Sequence, residues 1–276
     1  MTLIPLNRRT KTVALAAVIL ALLATIALSG LLMNPALYGP NYDLKWLAPS
    51  LSHPFGTDYL GRDMFFRTLK GLSTSILIGS LAAAVSAVIA LTLGLLAATA
   101  GNTTDKVVSY FVDLFMGIPH LVLLMLISFA LGKGLRGVIL AVALTHWPAL
   151  TRVIRAEVLQ VRGAQFVKTA RKLGASRFAV AFSHIIPHVV PQFIIGLILL
   201  FPHAVLHEAS ITFLGFGLGV DTPAIGIILS ESLKHIVQGM WWLVFFPGAL
   251  LVTIVLLFDR LGSEIKLLLD PSSVQE

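Results

Sequence analysis

The sequence predicts an all-α integral membrane protein with six transmembrane helices, both termini cytoplasmic, and a cytoplasmic helix between spans four and five. Three observations predict it. The chain is 57% hydrophobic and only 12% charged, against about 25% charge in a soluble domain. Long uncharged runs recur along it, each able to cross a hydrocarbon core of about 30 Å at about 1.5 Å per residue. With the chain threaded this way, thirteen of the twenty lysines and arginines fall inside and seven outside. The inverted threading would place the densest basic cluster outside, against the positive-inside rule. The net charge of +7 is then a property of cytoplasmic loops and does not call for a nucleic acid. There is no cysteine, which excludes disulfides, thiolate metal sites and thiol nucleophiles.

The first span follows Arg8, Arg9 and Lys11 and runs from Val13 to Met33 without a charge. That run exceeds the roughly 7–15 apolar residues of a signal peptide, so an uncleaved span is expected. Residues 34–70 are polar and rich in proline and glycine. They form an outer segment whose Tyr59, Phe65 and Phe66 suit the membrane interface. Residues 1–70 are therefore set apart from a core of spans two to six over 71–276. Span two is expected at 74–99 and span three at 107–131, with Pro119 inside it. A tight outer turn at 132–136 leads to span four, 137–153, where His146-Trp147-Pro148 marks the inner end. Span five is expected at 189–213. A glycine-rich outer connection, 215–239, precedes span six at 241–258, which Trp241 and Trp242 begin and Asp259 and Arg260 end. Asp113 and Asp259 read as markers of the inner boundary.

The segment from about 160 to 190 is longer than a connection between two spans needs to be. Lys168, Arg171, Lys172 and Arg177 lie within ten residues of one another. Phe166, Ala170 and Leu173 are spaced i, i+4, i+7 and share a helix face. Gly174 is placed to end that helix in a left-handed conformation. Ser176 can cap a second short cytoplasmic helix, and Pro187 and Pro191 would bend it at the membrane. From these residues alone the segment is either a solvated basic loop or a docking helix that enters a partner's groove.

The segment resembles the cytoplasmic coupling motif of ABC-importer permeases: Glu-Ala-Ala, a glycine beyond it, then an Ile-x-Leu-Pro ending. The matching positions are Lys168-Thr169-Ala170, Gly174 and Ile185-Ile186-Pro187, with Lys168 where Glu is usual and Thr169 where Ala is usual. HPFGTDYLGRDMFFR (53–67), LTHWPALTRVIRAEV (144–158), LHEASITFLGFGLG (206–219) and the closing Leu261-Gly262 to Asp270-Pro271 resemble the C-type permeases of dipeptide, oligopeptide and nickel importers. The resemblance implies a multi-pass permease of a bacterial or archaeal cytoplasmic membrane. It implies a second permease as heterodimer partner, two ATPase subunits that bind ATP-Mg, and an extracytoplasmic solute-binding protein. Phe166, Lys168, Thr169, Ala170, Leu173, Gly174 and Pro187 would then couple this chain to the ATPases. The chain itself has no G-x-x-x-x-G-K-[ST] loop, so it is expected to bind no nucleotide and to catalyse nothing.

Eight histidines raise a metal reading. His203 and His207 are i, i+4 beside Glu208, and that spacing can place two rings toward one borderline divalent ion. Against it stands a role as polar lining, and no resident metal is expected. The candidate translocation path is His203, His207, Glu208, Ser210 and Phe213. His184 and His188, also i, i+4, read as structural. Gly215, Gly217 and Gly219 fit close packing or a re-entrant bend. Two other function classes compete. A self-sufficient secondary transporter or channel would show inverted repeats and mid-membrane carboxylates; Glu208 is the one candidate. An intramembrane enzyme would need a motif such as H-E-x-x-H, which the chain lacks.

Overall fold

The computed structural model describes residues 8–269. Among these residues ten α-helices make up the bundle: α1 (Arg8–Leu32), α2 (Met64–Thr99), α3 (Asn102–Gly117), α4 (His120–Ala130), α5 (Gly134–Gly163), α6 (Gln165–Lys172), α7 (Arg177–Val180), α8 (Ile186–Phe213), α9 (Ile225–Leu233) and α10 (Trp242–Leu269). Among the described residues there is no β-strand, only one antiparallel bridge between Thr57 and Asp63. Helices α1, α2, α5, α8 and α10 are each long and apolar enough to cross a membrane. α3 and α4 are long and apolar enough only as a pair, a candidate sixth crossing bent by 99° at their junction.

That bend corrects the expectation of one straight span over 107–131. Gly117 ends α3, Ile118 turns to an extended backbone and Pro119 precedes α4. Proline disfavours a helical conformation in the residue before it, and here the run breaks, whereas Pro148, Pro191, Pro202 and Pro247 stay inside helices.

The contacts set the direction of each crossing. Lys70 Nζ donates to Gly30 O and Ser73 Oγ to Ala27 O, so the end of α1 meets the start of α2. The start of α5 meets the segment after α8, where Gly134 N–H donates to Gly217 O at 3.0 Å. The chain thus alternates through the bundle. The starts of α1 and α3 and the ends of α2, α5 and α10 share one end of it with α6. The long segment 34–63 and α9 share the other.

Two apolar cores lie along this axis. One joins α1, α4, α9, α10 and the near halves of α2, α5 and α8. The other joins the far halves of α2 and α5 to α3, α6 and the start of α8. α1 contributes a narrow stripe, Ala16, Ile19 and Leu23, and leaves the rest of its surface to lipid.

Several helices outrun the expected spans. α2 has 36 residues and starts inside the segment expected to be outer loop, where Asp63 Oδ1 accepts from the N–H groups of Phe65 and Phe66 and caps it. α5 continues ten residues past Val153 because Ile154, Val158 and Val161 still form a buried stripe while Arg152, Arg155 and Glu157 keep to the other faces. His146-Trp147-Pro148 consequently sits at the middle of α5, not at its inner end. α10 likewise runs beyond Phe258, burying Leu261 and Glu264. Asp270 and Pro271 of the closing motif lie outside the described residues.

At the end carrying α9, four charges interlock. Asp58 Oδ2 accepts from Arg62 Nε at 2.6 Å and from Arg67 Nη1 at 3.2 Å. Glu231 Oε2 accepts from Arg62 Nη2 at 2.9 Å and from Arg67 Nη2 at 2.6 Å. This network fixes segment 34–63 onto α2 and α9.

Candidate translocation site and docking helix

Midway along the bundle, the break between α3 and α4 opens a cavity of about 610 Å³ against α5 and α8. Phe115, Met116, Ile118, Pro148 and Leu200 supply apolar wall, and His120, Thr145, His146, His203 and His207 supply its polar groups. Volume and mixed lining are those of a small-molecule site.

Three of these histidines converge from three helices. His120 is the first residue of α4, His146 sits two residues before the buried Pro148 in α5, and His207 lies one turn past His203 in α8. Their ring centroids are 4.4–5.0 Å apart and the rings are tilted by 65–86°. One ligand atom from each lies within 4.8 Å of the others. His146 Nδ1 is 2.8 Å from Val142 O and His207 Nδ1 is 2.8 Å from His203 O. A carbonyl only accepts, so both Nδ1 atoms carry the proton. In the neutral rings that leaves each Nε2 as the acceptor atom. The His146 Nε2 is 3.1 Å from His207 Nδ1. His120 Nε2 is buried and has no hydrogen-bond partner.

The residues expected to line a path thus separate. His203 and His207 face the cavity. Glu208 points the other way, fully buried, its Oε1 accepting from Thr212 Oγ1 at 3.0 Å. Ser210 donates to Leu206 O, and it and Phe213 are half-buried away from the cavity lining. His120 and His146 belong to the cluster but are absent from that expectation. His120 follows a proline inside an apolar run and His146 shortly precedes one, and a polar ring beside a proline was the available signal.

At the far end of the bundle, α6 is a separate short helix. Val167 is fully buried and Ala170 packs partly against the inner core. Phe166 and Leu173, one face in the i, i+7 sense, are exposed, Leu173 at 83%. Phe166 stacks on His188 at 5.2 Å. Lys168 and Thr169 are exposed beside them. Gly174 has φ +87°, and its N–H donates to Arg171 O. Ser176 Oγ accepts from Ala179 N–H at 3.1 Å.

The second short helix expected after Gly174 does not exist as a separate unit. α7 runs through a π-helical turn, Ala181–Ile185, into α8. Pro187 has no N–H for the carbonyl four residues back, and Ile186 N–H donates instead to Ala181 O, five back. A π turn absorbs that mismatch without a break.

Comparison with known proteins places these features. Residues 90–263 match the family described as binding-protein-dependent transport system inner membrane component. The chain is 31% identical over 225 residues to the dipeptide transport system permease protein DppC of Bacillus subtilis, covering 82% of this chain and 70% of that one. It is 34% identical over 273 residues to the nickel transport system permease protein NikC of Escherichia coli, covering 96% of each. Among solved structures it resembles inward-facing conformations of the MetNI methionine ABC transporter, with a TM-score of 0.62 and 20% identity over 75% of this chain and 98% of the other.

Proposed function

This chain belongs to the binding-protein-dependent transport system inner membrane components, and we propose that α6 is the handle through which ATPase subunits drive its bundle. The chain is a multi-pass membrane protein and the permease subunit of an ABC importer, of the group that handles dipeptides, oligopeptides and nickel. The family favours this over a self-sufficient transporter.

The observation that carries the proposal is the build of α6. One side, Val167 and Ala170, is anchored in the second core; the other carries exposed Leu173 and the half-open Phe166, which stacks on His188, with Lys168, Arg171 and Lys172 exposed beside them. An exposed apolar face on a short amphipathic helix fits a groove on a partner. The basic ring and the positive-inside rule support a cytoplasmic position for α6, the start of α1 and the ends of α2, α5 and α10. Segment 34–63 and α9 then face outward, toward a solute-binding protein. Residues 1–70 form a peripheral unit and 71–276 the permease core. A second permease subunit closes the open side of the cavity, whose His203 and His207 line the path; Glu208, Ser210 and Phe213 support it from behind. ATP-Mg binds the partner subunits, in a bacterial or archaeal cytoplasmic membrane.

The test is affinity purification from gently solubilised membranes followed by mass spectrometry. A second permease and an ATPase pair should co-purify. A chain that purifies alone and moves solute in liposomes without ATP would overturn the proposal.

A further inference from the structure

We propose that His120, His146 and His207 form a binding site for a divalent transition-metal cation on the translocation path. The inference rests on the permease reading and names the class of solute that this subunit handles.

Each ring is prepared for ligation. A metal-bound histidine typically donates its second ring N–H to a carbonyl or carboxylate, which fixes the tautomer and the ring plane. His146 and His207 have that support already, from Val142 O at 2.8 Å and His203 O at 2.8 Å. The supporting carbonyls are on α5 and α8 themselves, so the two lone pairs are aimed by rigid helices. His120 brings a buried Nε2 with no hydrogen-bond partner among the described residues. A buried polar nitrogen left unpaired costs free energy, and this one lies inside the cluster. Two of the three rings thus have Nδ1–H anchored and Nε2 left as the acceptor, the His146 one shared with the His207 N–H, and the third brings an unmet nitrogen.

Packing alone does not account for the arrangement. Three imidazoles drawn from α4, α5 and α8 meet edge to face with an apolar wall around them. Their mutual contacts satisfy one pair, His146 with His207, and leave His120 out. An ion with nitrogen ligands at about 2.1 Å would satisfy all three. Ligand nitrogens on one such ion stand about 3.4 Å apart, so the cluster closes by roughly an ångström around it.

The donor set selects the cation. Neutral imidazole suits nickel, copper, zinc and cobalt and not calcium or magnesium, which take oxygen ligands. Three protein ligands leave the remaining coordination positions open to the cavity, as in sites whose ion exchanges ligands. Among the described residues no carboxylate lines the cavity, so the positive charge is not neutralised by them. Hold without neutralisation gives a site that captures the ion and still lets it go. The open positions admit either a hydrated ion or one that carries its own ligands.

The test uses the full importer complex in lipid nanodiscs, with Ni²⁺ and Co²⁺ as probes. Equilibrium binding should give one ion per copy of this chain, with nitrogen ligands in the X-ray absorption spectrum and ligand-field bands for Co²⁺. His120→Ala, His146→Ala and His207→Ala should each weaken binding at least tenfold, and His235→Ala should not. Monodispersity and ATPase activity of each variant separate loss of ligand from loss of fold, and His146→Gln is the second variant should His146→Ala fail to assemble. Comparing Ni²⁺ with Ni²⁺–citrate tells a bare ion from a chelate; tight binding of either supports the site. Binding that survives the triple replacement, or is lost on replacing His184 and His188 instead, would overturn the proposal. A complex that imports peptide with ATP yet binds no metal overturns the site and leaves the permease reading intact. A chain that binds metal but recruits no ATPase does the reverse.

Discussion

Arg67 Nη2 and Glu231 Oε2 are 2.6 Å apart across 164 residues of chain. The pair joins the first turn of α2 to α9, and Arg62 and Asp58 complete a four-charge network around it. Arg67 is 3% exposed, so its charge depends on these carboxylates and not on water. Glu231→Ala leaves two guanidinium groups to share Asp58. Removing one partner of a buried pair costs about 3–5 kcal/mol. The unfolding midpoint of the purified protein should fall on the order of 10 °C. Glu231→Gln keeps an acceptor oxygen and should lose less than half of that. An unchanged midpoint for Glu231→Ala would mean that the network is solvated and contributes little.

Gly174 sits at φ +87°, where an L residue costs about 1–2 kcal/mol and a β-branched one more. Nothing lies within 4 Å of the position a Cβ would take, so the effect is conformational and not a clash. Gly174→Val should uncouple the importer: ATP hydrolysis continues while uptake into proteoliposomes falls at least tenfold. Gly174→Ala should fall between. Full uptake by Gly174→Val would separate the turn from coupling.

Leu173 is 83% exposed, and its replacement should leave the isolated chain alone. Leu173→Asp should shift folding stability by no more than about 0.5 kcal/mol. If α6 docks on the ATPases, the same change places a charge at the centre of the contact. Hot-spot losses there are about 2 kcal/mol or more, so recovery of ATPase in a pull-down should drop more than tenfold. Equal recovery would move the docking surface elsewhere.

The chain has no cysteine, so single introduced thiols report topology directly. Leu173→Cys and Val237→Cys, at 83% and 89% exposure, sit at opposite ends of the bundle. A membrane-impermeant maleimide should label Val237→Cys in intact cells and Leu173→Cys only in inverted vesicles. The opposite pattern would invert the proposed orientation.

The spans were legible because an uncharged run of twenty residues has few other uses, and both the turn at Gly174 and the cap at Ser176 follow from local chemistry. Other features depended on distant partners. The helix past Val153 carries Arg155 and Glu157, and charge read along a line looks like the end of a span. Read around a helix, Ile154, Val158 and Val161 show that it continues. His203 and His207 drew attention through their i, i+4 spacing, but His146 lies 61 residues from His207 and no periodicity connects them. Pro119 was visible, but whether an internal proline kinks or breaks a span is decided by what packs around the break.

The unbroken run from α7 through the π turn into α8 puts a lever in the membrane. Arg177 and His207 stand on one continuous helical path of thirty residues, about 45 Å at 1.5 Å per residue. A rigid tilt of about 5° about the α7 end moves the far end by roughly 4 Å, nearly twice the length of a metal–nitrogen bond. His120 and His146 ride on other helices and do not share that swing. A small rotation started at the membrane surface is therefore enough to pull one corner out of the triangle.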